Sequence, residues 1–76
     1  MKLDTFSQRL STHQIESIKL HRNPDNLEHW FPMIHCSDGS VHLLVDQDGK
    51  EISKASLEEL INKLKRCGAN KAEVLF

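Results

Sequence analysis

Five histidines in 76 residues are the side chains with the most chemistry to offer. The imidazoles of His21, His35 and His42 suit zinc or copper if the fold brings them together. The hairpin argued below sets His35 directly across from His42, with β-carbons about 5 Å apart. His21 joins them if the preceding strand lies alongside in register. No carboxylate is placed to orient either ring. Two histidines meeting on a half-exposed face is therefore the preferred reading, and no metal or cofactor is expected.

Other reactive groups are weaker. Asp46-Gln47-Asp48-Gly49 opens like a calcium loop, but the twelfth position holds Leu57 where a glutamate ligand is needed. The segment reads as a turn. A cysteine nucleophile needs a thiolate beside a base. Strand alternation points Cys36 and its neighbour His35 to opposite faces, so Cys36 is expected in the core. Cys67, beside Arg66 at a helix end, reads as a partly exposed thiol without a role. The two cysteines do not form a CxxC pair, which disfavours a thiolate zinc site. No glycine-rich phosphate loop is present and no carboxylate pair stands out, so no enzymatic activity is expected.

Cations and apolar residues give two binding hypotheses. Lys63, Lys65, Arg66 and Lys71 gather at one end of the second helix and can meet nucleic acid. An α-β-β-β-α order with a basic second helix start would resemble a double-stranded RNA-binding domain. This helix starts Ser56-Leu57-Glu58-Glu59, which is acidic. The basic end is what the helix dipole alone favours. The second hypothesis is a protein contact. Phe31, Met33 and Leu44 fall opposite the expected core face, and the apolar terminal strand with Val74 and Phe76 can leave an edge open to another chain. Self-association through that edge or that face is the favoured functional reading.

The elements that must position these residues follow from periodicity and punctuation. Leu3, Phe6 and Leu10 form one stripe of a short helix, with Asp4 as its expected cap and Ser11-Thr12-His13 as its end. Residues 14–22 read as extended, with Ile18 and Leu20 on one face and Ile15 out of phase on the other. Asn23-Pro24-Asp25-Asn26 is a turn. Asp38-Gly39 reads as a two-residue hairpin turn between strands 28–37 and 40–46. That register pairs Cys36 with Val41, His35 with His42 and Ile34 with Leu43. It collects Ile34, Cys36, Val41, Leu43 and Val45 in the core and leaves Phe31, Met33, His35, His42 and Leu44 outside. Pro32 cannot donate to a ladder, so an edge, bulge or break is expected there.

The last third is the most legible. Asp46–Lys50 makes a second tight turn, and Glu51-Ile52 a strand stub. Ser56 with Glu59 fits a capping box, and Leu57, Leu60, Ile61 and Leu64 form a helical stripe. Gly68 stops the helix and Ala72–Phe76 forms a final strand.

The order α-β-β-β-α-β implies a single α+β domain over residues 1–76. The expected architecture is a two-layer sandwich of a mainly antiparallel sheet with two helices on one face. A net charge of −1 argues against a dedicated nucleic-acid binder. The opening Met1–Phe6 lacks the apolar run of a signal peptide, and no window has the length of a membrane span. A cytoplasmic protein with reduced thiols is expected. The opening MKLDTFSQRL (residues 1–10), with Asp48-Gly49-Lys50 followed by a Ser-Leu helix start, resembles a family of small uncharacterised proteobacterial proteins. The resemblance implies a bacterial cytoplasmic origin and carries no activity or site residues to this chain.

Overall fold

A computed structural model describes residues 1–76. The elements are α1 (Leu3–Ser11), β1 (Ile15–Asn23), β2 (Asn26–Cys36), β3 (Val41–Leu43), α2 (Leu57–Arg66) and β4 (Glu73–Val74). The strands form one sheet in the order β3-β2-β1-β4, antiparallel except for β4, which runs parallel to β1. A strand–helix–strand crossover through α2 permits this parallel return. The expected α+β class and element order are therefore present.

Alternation decides what the sheet buries. Ile18 and Leu20 of β1 face the same way as Trp30, Pro32, Ile34 and Cys36 of β2. They make one core with Phe6 of α1 and Leu60 and Leu64 of α2, so both helices lie on that side. The out-of-phase Ile15 is resolved by a bulge: Ile15 pairs with Cys36, the register shifts before Ser17, and Ile15 packs against the core.

The β2–β3 register differs from the sequence expectation by one residue. His35 lies opposite Val41, Ile34 opposite His42, and Met33 opposite Leu43. The connecting loop has three residues, Ser37-Asp38-Gly39, and only Gly39 takes a positive φ, at 89°. Cys36 N–H donates to the Ser40 carbonyl at 2.9 Å and Gly39 N–H to the Cys36 carbonyl at 3.0 Å. Asp38 accepts from the Ser40 hydroxyl at 2.6 Å and its N–H at 2.9 Å, which holds its carboxyl below the usual carboxylate range. An Asp-Gly pair thus fits the end of a three-residue loop as well as a two-residue turn. A shift by one residue exchanges the two faces of a strand. Leu44 enters the core at 0% exposure, while Val41 stands 47% exposed on the helix-free side.

Pro32 does not break β2. Its carbonyl accepts from Leu44 N–H at 3.3 Å, so its donor-less nitrogen faces the β3 side, where regular pairing ends at Leu43. Beyond that point Trp30 exchanges two backbone bonds with Lys54, at 2.8 and 3.0 Å. On the outer side of β3, Val45 N–H donates to the Met1 carbonyl at 2.8 Å and the Met1 amino group to the Leu43 carbonyl at 2.9 Å.

The helix ends show what caps them. Asp4 does not cap α1, because it lies inside the first turn and the cap residue is Lys2. Gln47 supplies the missing acceptor instead: its carbonyl takes Asp4 N–H at 2.8 Å while its amide donates to the Asp4 carboxylate at 2.7 Å. Ser56 accepts from Glu59 N–H at 3.1 Å, but the Glu59 carboxylate pairs with Lys54 at 3.5 Å, so half of the capping box forms. At the other end of α2, Gly68 has φ 108°, and Gly68 and Ala69 donate to Lys65 and Leu64. The same motif closes α1 with a histidine in the glycine position: His13, φ 58°, and Gln14 donate to Leu10 and Arg9.

A left-handed backbone costs a residue with a β-carbon more than it costs glycine. His13 is exposed, so His13→Gly is expected to stabilise the fold by about 0.5–1 kcal/mol, read as a higher urea midpoint with an unchanged slope. A lower midpoint would show that the imidazole contributes more than its backbone strain costs.

Candidate interaction surface

The five residues expected to form one surface do not share one. Phe31 and Met33 lie half-buried on the helix-free face of the sheet. Leu44 is removed from it by the register shift and is fully buried in the core. Val74 pairs with Leu20 and packs against the core from β4. Phe76 is 99% exposed, touching Trp30 only edge-on at 6.2 Å between ring centroids.

The helix-free face nevertheless carries several partly exposed apolar side chains. Across its middle runs the row Leu43–Met33–Lys19–Glu73, one residue from each strand. Beside it lie Phe31 and His21, whose rings stack at 5.6 Å, and Leu75 falls next in register to His21. Val41, His35 and Ser17 make the third row. The β2–β3 half therefore carries Phe31, Met33, Val41 and Leu43, with Asp25 and Glu51 lining the groove beside Phe31 and Leu43, and the β1–β4 half carries Lys19 and Glu73. Neither Lys19 nor Glu73 is in an ion pair; the two pairs present are Lys54–Glu59 and Lys63–Asp46. Sequence reasoning missed Val41, Leu43 and Leu75. The first two were assigned to the core by the two-residue turn, and Leu75 has no pattern of its own in so short a strand.

The other constellations do not assemble. His35 and His42 point to opposite faces because neighbours in the true register are His35–Val41 and Ile34–His42. His42 Nε2 lies 3.1 Å from the Ser40 hydroxyl, and His21 stacks on Phe31. No three His, Cys, Asp or Glu side chains are grouped to hold a metal ion. His29 Nδ1 and the Asn23 amide both reach the Ser53 hydroxyl, at 3.2 and 3.1 Å. Nothing orients the second nitrogen of His29, so this contact ties the β1–β2 hairpin to residue 53 without the relay a nucleophile requires.

Of the four cations expected at the end of α2, Lys63 is held by Asp46 at 3.0 Å. Lys65, Arg66 and Lys71 remain exposed. Cys36 is buried with an Arg9 nitrogen 3.6 Å from its sulfur. Burial pushes the Cys67 thiol up, against the opposing pull of Lys63 and Arg66. No helix is long and apolar enough to cross a membrane. Comparison of the chain with protein-family models, curated proteins and solved structures finds no match.

Proposed function

We propose that this chain is a cytoplasmic, non-enzymatic protein-interaction module in which a second copy covers the helix-free sheet face. The supporting observation is the contiguous half-face of Phe31, Met33, Val41 and Leu43, which neither helix shields. A two-fold arrangement satisfies such a surface with itself, because the same patch serves both partners. The apolar halves then meet, and the unpaired Lys19 and Glu73 supply opposite charges for the rim. A standard interface takes roughly 800 Å² from each partner. That is about one sixth of the 4923 Å² this molecule exposes, and a body of 33 × 24 × 19 Å has a broad face of that order. Pairing through the β4 edge is less favoured, since only Glu73 and Val74 form the strand and few backbone groups are available.

Sedimentation of the 8.7 kDa chain across a range from low to several hundred micromolar tests this reading. A reversible monomer–dimer equilibrium is expected, and Met33→Glu is expected to weaken it by 100-fold or more, about 2–3 kcal/mol for charge in an apolar contact. Met33 is only half-buried, so the variant should keep the circular dichroism spectrum of the parent. A chain that stays monomeric over the full range, or a Met33→Glu variant that still dimerises, would overturn the proposal.

A further inference from the structure

The crossover from α2 to β4 leaves an open cleft of about 230 Å³ on the side away from the helix-free face. Its apolar lining is Ile61, Ala69, Ala72 and Val74 over the buried Leu20 and Leu64, and the exposed Lys65 and Lys71 line it as well. β4 pairs with β1 at only two positions, and residues 69–72 of the crossover line the cleft. No acidic residue lines it, and neither lysine is in an ion pair. The last carbonyls of α2 do not present bare negative charge to the mouth, since Gly68 and Ala69 donate to Lys65 and Leu64.

We infer that this cleft is a binding site for a small amphipathic anion, a medium-chain aliphatic carboxylate. The chemistry follows from the lining: its apolar side chains remove hydrocarbon from water, and its two lysines with no acidic neighbour favour an anionic head group. A site of a few convergent polar groups on an otherwise apolar concavity is the usual form of a small-molecule site. Size sets the chain length. The cleft holds the space of about eight water-sized groups, which suits a chain of about eight carbons. For a ligand this small the affinity should be on the order of a millimolar. The site lies apart from the sheet face and does not depend on the reading of that face.

Methyl-detected NMR titration tests the assignment, with sodium octanoate and octylammonium below their micellar concentrations and octan-1-ol below its solubility limit. Octanoate should give saturable shifts at the methyls of Leu20, Ile61, Leu64 and Val74, and octylammonium should not. Reversing both lysine charges, Lys65→Glu with Lys71→Glu, should weaken octanoate about tenfold and leave octan-1-ol unchanged. Both lysines are exposed, so the double variant should keep the parent methyl spectrum. Ala72→Trp, at an exposed position on the cleft wall, should block octanoate and octan-1-ol alike. Absence of saturable shifts at those methyls, octylammonium binding as tightly as octanoate, or a double reversal without effect would each overturn it.

Discussion

Replacing Phe6 by alanine is expected to cost about 3–5 kcal/mol and to lower the melting temperature by tens of degrees. The expectation rests on how α1 is held. Phe6 is its only buried residue, at 0% exposure, and belongs to the same core cluster as the buried residues of the sheet and of α2. A helix of nine residues is marginal in water on its own. Removing the ring therefore opens a cavity and also detaches the element that leads Met1 and Lys2 to the β3 edge. A domain of this size has a total stability of only about 4–11 kcal/mol, so the loss is a large share of it. Thermal and urea melts followed by circular dichroism read the effect. A cost below about 1 kcal/mol would mean that the core closes without α1.

Adjacent leucines should respond in opposite ways to the same change. Leu44→Glu places a carboxylate where the side chain is completely buried. It forfeits about 2–3 kcal/mol of leucine burial and adds several more for an unpaired charge, so no folded protein is expected at neutral pH. Leu43→Glu lies on the helix-free face opposite Met33. It should fold with a loss under about 1 kcal/mol and abolish the proposed self-association. The pair reads the hairpin register directly, since a two-residue turn would reverse the two results. Dichroism reports folding, and sedimentation reports association.

The contrast also shows what the sequence made legible and where it fell short. The second helix was plain because its signals are local. Ser56 caps it, Leu57, Leu60, Ile61 and Leu64 keep one period, and Gly68 can only be a stop. Element order and the fold class followed from such local signals. The register of β3 did not, because residues 41–45 are apolar at positions of both parities. Asp38-Gly39 also suits either loop length. The two candidate pairings differ in which leucine the core accepts, and that depends on the volume left by Phe6, Ile52 and Leu60, which lie elsewhere in the chain. The Asn23–Ser53 and Asp4–Gln47 contacts were invisible for the same reason. The expected binding surface inherited the error: it kept Phe31 and Met33, took Leu44 from the core, and missed Val41, Leu43 and Leu75.

The parallel seating of β4 has a kinetic consequence. The β1–β2 and β2–β3 hairpins close short loops, so their chain entropy cost is small and they can form early. β4 joins Leu20 to Leu75 across most of the chain, with a two-residue ladder to reward it. It is therefore expected to be the last strand to dock and the first to open, which amide exchange at Leu75 would read as protection below that of the β1–β2 ladder. Each opening uncovers the outer edge of β1 at Lys19 and Leu20 and leaves Val74 without its packing. The rate at which this strand recloses, more than the depth of the core, sets how long the molecule presents an unpaired edge to its neighbours.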